Sequence, residues 1–235
     1  PMIATALVVF VGGTAWTVVY SFTKSGLLPR LNWVGLDQYE RLSVEQQAEM
    51  ERFVRDPGPA PRISVLMPVY NVDERWLRQA LDSVLAQTRA AEEVIVVDDG
   101  SSDATAEVVS SDYPQVTLLQ QENLGVSAAR NRGIAQATGD WIALLDSDDR
   151  WLPTKLQAQF DLIDQHPGHR LCHTEEIWIR NGRRINQMDK HRKSGGQIYN
   201  MCLPLCVISP SAALIHRSLL DEVGLFDESL PACED

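Results

Sequence analysis

Four short apolar runs, each followed by a turn signal or a helical pattern, constrain this chain most. They are "ISVLMPVY" (63–70), "EEVIVVDDGSSD" (92–103), "VTLLQ" (116–120) and "WIALLDSDDR" (141–150). In the last, Trp141 to Leu145 is continuously apolar, without polar alternation. Such a run suits a strand covered on both faces, as in a parallel α/β sheet. Helical patterns lie between the runs. Trp76, Leu77, Ala80, Leu81, Val84 and Leu85 form an apolar stripe at helical spacing. Ser101, Ser102 or Asp103 can cap a short helix running through Val109. "GVSAARNRGIAQATG" (125–139) reads as a third helix. Strands alternating with helices predict βαβ units and a mostly parallel sheet.

Two of these strands end in acid, at Asp98 and Asp99 and at Asp146, Asp148 and Asp149. Ligands of open α/β sheets bind outside the carboxyl ends of the strands. Carboxylates this close repel one another, and a cation would offset the repulsion. Asp146 and Asp148, two apart at a strand end, can point the same way. Hard oxygen ligands suit Mg²⁺ or Mn²⁺ shared with substrate phosphates. A solvated turn carrying a helix cap is the other reading of the same residues. On the helix after the third strand, Arg130 shares the face of Val126, Ala129, Gly133, Ile134 and Ala137, while Arg132 points away. A charge on an apolar stripe needs a partner. That partner is an anionic ligand, one of the strand-end aspartates, or the other half of an internal salt bridge.

Several classes are excluded or disfavoured. No Gly-x-Gly-x-x-Gly follows the first strand and no Gly-x-x-x-x-Gly-Lys occurs, so the site is neither a dinucleotide fold nor a P-loop. The net charge of −11 argues against a general nucleic-acid binder. Cys172, Cys202, Cys206 and Cys233 lack zinc-site spacing and read as reduced thiols. A basic stretch, Arg180, Arg183, Arg184, Lys190, Arg192 and Lys193, either approaches a diphosphate or phosphorylated acceptor or is a solvated loop.

Before the first run, residues 2–22 contain no charge and would span about 30 Å as a helix, the thickness of a bilayer core. A transmembrane helix is expected over residues 1–23, with Lys24 and Arg30 placing the downstream chain on the cytoplasmic side. Residues 24–61 read as a polar linker ending in the stiff "DPGPAP". A single domain is expected over residues 62–235. The chain opens on Pro1 and stops at Asp235 without a closing element, which suggests a fragment truncated at its C-terminus.

Five motifs in order, "ISVLMPVYN", "LDSVLAQT", "VIVVDDGSSDAT", "NLGVSAARNRGIAQATGDWIALLDSDD" and "LIHRSLLDEVGLFDESLPACED", resemble the family 2 glycosyltransferases. The resemblance covers about residues 62–235. It implies the A-type nucleotide-diphospho-sugar transferase fold and an inverting, metal-dependent hexosyl transfer in cell-surface polysaccharide or glycoconjugate synthesis. The donor would be a nucleotide sugar, usually of UDP. The acceptor would be a saccharide or lipid-linked hydroxyl, and the cofactor Mg²⁺ or Mn²⁺. Residue by residue, Pro68 and Tyr70 would border the base, Asp99 would accept a hydrogen bond from it, and Arg130 would lie by the nucleotide pocket. Asp146 would sit near the ribose and Asp148 would ligate the metal, with Asp149 adjoining. Asp235 would be the base that deprotonates the acceptor.

Residues 17–42, through "VGLDQY" (34–39), also resemble the first membrane helix and following loop of sugar-type ABC transporter permeases. A permease places that loop outside the cytoplasm, where sugar nucleotides are absent. A non-catalytic chimera of a permease helix with a nucleotide-binding domain is therefore the alternative function. A nucleotidyltransferase of similar fold would need a Gly-rich loop with Arg and Lys, which "MPVYNVDERW" lacks.

Overall fold

Every residue of the first strand, β1 (Ile63–Val69), is buried, the polar Ser64 included, as in a strand covered on both faces. The computed structural model describes residues 60–166, 168–204 and 206–230. The expected membrane helix, the permease-like segment, nearly all of the linker and Asp235 lie outside the described residues. Among the described residues no helix is long and apolar enough to cross a membrane.

After β1 come helix α1 (Glu74–Leu85), β2 (Glu93–Asp98), α2 (Thr105–Asp112), β3 (Thr117–Gln120), α3 (Val126–Gln136) and β4 (Trp141–Leu144). Helix α4 (Lys155–Gln165) leads to β5 (Leu171–His173) and a two-stranded ribbon, β6 (Trp178–Arg180) and β7 (Arg183–Ile185). Strand β8 (Ala213–His216) and helix α5 (Arg217–Val223) come last. Residues 61–159 and 169–235 make one compact unit, which holds the whole sheet. The other unit is residues 1–60 with 160–168; its described residues are 60, 160–166 and 168, and within them Gln165 Nε2 donates to the Asp161 carbonyl at 2.8 Å.

The main sheet has the order β3-β2-β1-β4-β8-β5. Strands β3, β2, β1 and β4 are parallel; β8 runs antiparallel to β4 and β5 antiparallel to β8. The order reverses direction between β1 and β4, which opens a crevice at the carboxyl ends of those strands. Strand β5 therefore points the same way as β4. The chain between the end of β5 and the start of β8, residues 174–212, begins and ends on that carboxyl edge.

Packing explains the elements. Asp73 caps α1 by accepting from Arg75 N at 2.9 Å. Helix α1 buries Leu77, Ala80, Leu81 and Val84, but Trp76 and Leu85 are 42% and 41% exposed. The expected stripe is therefore narrower than the sequence suggests: Trp76 lies under the Arg75 guanidinium, 4.7 Å from its ring centroid, rather than in the core. None of the three cap candidates is the N-cap of α2, which is Ala104 without a side-chain cap; Asp103, one residue earlier, accepts from Thr105 N at 2.9 Å, and the helix runs three residues beyond Val109. Helix α3 packs close on the sheet because Gly133 has no side chain. A Cβ there would stand 3.3 Å from Leu66 and 3.4 Å from Val97. Leu66, Ile95, Val97, Ala129, Ile134, Ile142 and Leu144 join it in one core cluster. Burial of each such Leu, Ile or Val side chain contributes about 1.5–3 kcal/mol.

Candidate active site

Three strand ends meet at the crevice. Strand β1 delivers Pro68, which is buried, and just beyond it Tyr70, which is 52% exposed. Asp99 follows β2, and its N–H donates to the Val69 carbonyl at 2.9 Å, level with the end of β1. The acid turn leaves β4 directly after Leu145, whose N–H donates to the Leu66 carbonyl at 3.0 Å.

The β1 and β2 loops are latched together. Asn71, at φ 47°, donates from its N–H to Ser101 Oγ at 2.9 Å, and its Oδ1 accepts from Ser102 N at 2.9 Å. Asn tolerates this left-handed backbone because its short side chain bonds locally.

Asp99 is 4% exposed, and its carboxylate orders the segment entering α3. Oδ1 accepts from Gln121 Nε2 at 2.7 Å and Leu124 N at 2.9 Å, and Oδ2 accepts from Gly125 N at 2.9 Å. A carboxylate offers about four acceptor positions. One position on Oδ2 therefore stays open with respect to the described residues. Gly125, at φ 94°, gives the turn a backbone that a side chain would strain.

Arg130 is 3% exposed and donates from Nη2 to Asp146 Oδ1 at 3.1 Å. Its guanidinium lies 5.3 Å from the Phe226 ring centroid. Of the partners open to it in the sequence, the aspartate at the end of β4 is among those it engages. Arg132 is exposed, as expected. The neighbouring Asn131 clamps the chain after α5: its Oδ1 accepts from Phe226 N at 3.0 Å, and its Nδ2 donates to the Phe226 carbonyl at 2.8 Å and to Glu228 at 2.7 Å.

The acid turn is held from behind. Asp149 N donates to the Asp146 carbonyl at 3.1 Å, closing the turn. Ser211 Oγ accepts from Asp146 N at 3.0 Å, and the Ser211 carbonyl accepts from Trp151 Nε1 at 2.8 Å. Desolvation pushes the Asp149 carboxyl above the ordinary aspartate range; Asp148 and Glu176 add to the rise, and the Ser211 hydroxyl opposes it. Asp148 is exposed.

Glu176 is a second hub. It accepts from Lys193 Nζ at 2.6 Å, from Trp178 Nε1 at 3.0 Å and from the Ser209 hydroxyl. Burial works against its charge, but Lys193, Ser209 and Trp178 outweigh that and hold the carboxyl below the usual range. Lys193 is thus buried in an ion pair, while the other five basic residues of the 180–193 stretch are exposed.

A divalent ion fits this donor set. Asp148 and Asp149, both exposed, supply hard oxygens, and the smaller part of the upward push on Asp149, that from Asp148 and Glu176, is what a cation relieves. Among the described residues no group of three or more His, Cys, Asp or Glu forms a ready-made cage. Mg²⁺ commonly needs only one or two carboxylates, with phosphates and water completing its shell.

Sequence reasoning missed Ser211, Glu176 and Asn131. Ser211 and Glu176 sit more than 25 residues from the acid turn and carry no motif. Asn131 could have been suspected from its place beside Arg130.

Comparison with known proteins bears on this arrangement. Residues 64–224 match the model of "Glycosyl transferase family 2". An uncharacterized glycosyltransferase of Rickettsia typhi is 32% identical over 75% of this chain and 57% of its own length. YibD of Escherichia coli, also an uncharacterized glycosyltransferase, is 43% identical over 41% of this chain and 29% of its own length. The chain thus spans between about a third and about a half of these curated relatives. Among solved structures, S. aureus TarS 1–349 with UDP-GlcNAc is 27% identical, with TM-score 0.61, over 74% of this chain and 51% of that one. The mannosyltransferase PcManGT of Pyrobaculum calidifontis, with GDP-Man and Mn²⁺, shares the fold at 22% identity and TM-score 0.55. The similarity to permeases finds no counterpart in these matches. With the family model spanning most of the sheet and its carboxyl edge, this chain belongs to glycosyl transferase family 2.

Proposed function

We propose that this chain is part of an inverting glycosyltransferase that moves a hexose from a nucleoside-diphosphate donor to a hydroxyl of a saccharide or lipid-linked acceptor. The observation that carries the reading is the convergence of Tyr70, Asp99 and the 146–149 acid turn on one crevice, with Arg130 paired to Asp146 behind it. The solved TarS complex with UDP-GlcNAc supports a UDP donor.

In this reading Pro68 and Tyr70 border the base, and the open acceptor position on Asp99 Oδ2 takes its N–H. Arg130 orients Asp146 toward the ribose. Asp148 and Asp149 would hold Mg²⁺ or Mn²⁺, which supplies neutralisation of the charge developing on the departing diphosphate. The acceptor oxygen bonds to the anomeric carbon from the face opposite the diphosphate. The bond from that carbon to the diphosphate oxygen breaks, and its electron pair leaves with the nucleoside diphosphate. Asp235 takes the hydroxyl proton. One displacement inverts the anomeric centre. A membrane location, with the domain on the cytoplasmic side, is inferred from residues 1–23 and their flanking cations. It places the enzyme where sugar nucleotides are and where cell-surface polymers begin.

Calorimetry of UDP binding tests the metal and nucleotide assignments together. Affinity should rise with Mn²⁺ and fall with a chelator, and Asp148→Asn should abolish the difference. Equal affinity of the native chain with and without chelator would refute metal-assisted binding at the acid turn.

A further inference from the structure

The ribbon β6–β7 turns through Asn181 and Gly182, at φ 52° and 72°, the two-residue turn whose twist matches an antiparallel pair. It places Arg180 directly opposite Arg183, and Arg184 opposite Ile179. Like charges facing each other across a ladder destabilise it. Lys190 and Arg192 lie just beyond. None of these five side chains makes a hydrogen bond or ion pair with another described residue, and Arg180, Arg183, Arg184, Lys190 and Arg192 are all exposed. Residues 177–192, which leave out the ion-paired Lys193, hold five basic residues against one acidic, a local charge of +4 in a chain of net charge −11. The remainder therefore carries −15.

Position gives this concentration a role. The ribbon lies in the 174–212 connection, which starts and ends on the sheet edge that carries the acid turn. Glu176 pins its base through Lys193 and Ser209, and Ser211, two residues on, holds Asp146. Each strand is three residues long, about 10 Å. Five cations spread over such a surface exceed what one donor diphosphate engages. Arg180 and Arg183 share one face of the ribbon and Arg184 takes the other, and the unrelieved repulsion of the Arg180–Arg183 pair calls for negative charge.

We propose that the ribbon, residues 178–185, with Lys190 and Arg192, is the docking surface for the acceptor, and that the acceptor is a chain whose repeating units carry phosphate. The forked guanidinium donors of four arginines suit phosphate oxygens. This role rests on the chain being a glycosyltransferase.

The test uses the full chain and four probes: long-chain polyphosphate, polygalacturonate, neutral dextran, and phosphatidylglycerol vesicles. UDP binding is measured in parallel. Polyphosphate should bind with a log–log salt slope of about −3.5, from about 0.7 per contact over five contacts. Converting Arg180, Arg183 and Arg184 to Gln should weaken it by about tenfold or more and flatten the slope by about 2. UDP affinity should not change, which also shows that the variant is folded. Lys190→Gln with Arg192→Gln, away from the strands, should weaken polyphosphate by a smaller factor. Dextran should not bind, and polygalacturonate should bind at least about tenfold more weakly at equal charge. The proposal is overturned by full polyphosphate affinity in the triple variant, by equal binding of polygalacturonate, or by a ribbon effect on vesicles alone. If UDP itself does not bind, the glycosyltransferase reading fails; if only polyphosphate fails, the docking surface does.

Discussion

Lys155→Met tests how the wall behind the acid turn is built. Lys155 is 8% exposed. Its Nζ lies 2.9 Å from Gln159 Oε1 and 4.1 Å from the Trp151 ring centroid, and Trp151 in turn bonds the Ser211 carbonyl. Burial pushes the ammonium from its ordinary 10.5 down to about 7, with the Cys172 thiol acting in the opposite direction. The unfolded chain keeps the ordinary value, so between these limits it binds more protons than the folded protein. The cost of burying the charge is therefore complete below pH 7 and shrinks as pH rises toward 10.5. The slope approaches about 1.36 kcal/mol per pH unit. From pH 7, where the buried amine is half protonated, to pH 9, the gain comes to about 2 kcal/mol, or about 4–8 °C in Tm for a protein of this size. Methionine fills nearly the same volume without the charge. The advantage of the variant over the native chain should be largest at pH 6–7 and shrink by about 2 kcal/mol by pH 9. Urea unfolding followed by circular dichroism at each pH, on both proteins, measures that difference. Cys172, which burial pushes up, is present in both and enters chiefly as a shared background. Parallel profiles from pH 7 to 9 would refute the assignment of Lys155 as a desolvated amine.

Two further outcomes are expected. Ser211→Ala leaves Asp146 N without its acceptor and Trp151 in place, so stability should fall by about 1–3 kcal/mol and UDP affinity should fall with it, as seen by chemical unfolding and calorimetry. Asp235→Asn should lower turnover by about 10²–10⁴-fold with UDP affinity kept; unchanged turnover would remove Asp235 as the base.

The sequence by itself determined the strands of the parallel half and the acids at their ends. Runs such as residues 141–145 are apolar at every position because both faces are covered, and that leaves a signal independent of context. The burial of Arg130 was legible for a similar reason: its helical spacing put it on the stripe with Ala129 and Ile134. What covers a face was not legible. Trp76 and Leu85 fit the stripe of α1 by spacing, yet the neighbours of that helix reach only Leu77, Ala80, Leu81 and Val84. Strands β5 and β8 were missed because each is short. Leu171 and His173 in β5 alternate with buried Cys172 at the sheet's edge, too briefly for a period to emerge. The Asn181-Gly182 turn was a local signal for the ribbon, present in the sequence and passed over. The order that seats β1 between β2 and β4, and so creates the crevice, depends on contacts between distant residues. So does the choice of Asp146 as the partner of Arg130, and the support of the acid turn by Ser211, 65 residues away in the chain. A hydrogen-bond partner at that separation leaves no periodicity in the sequence; only the folded sheet brings the two together.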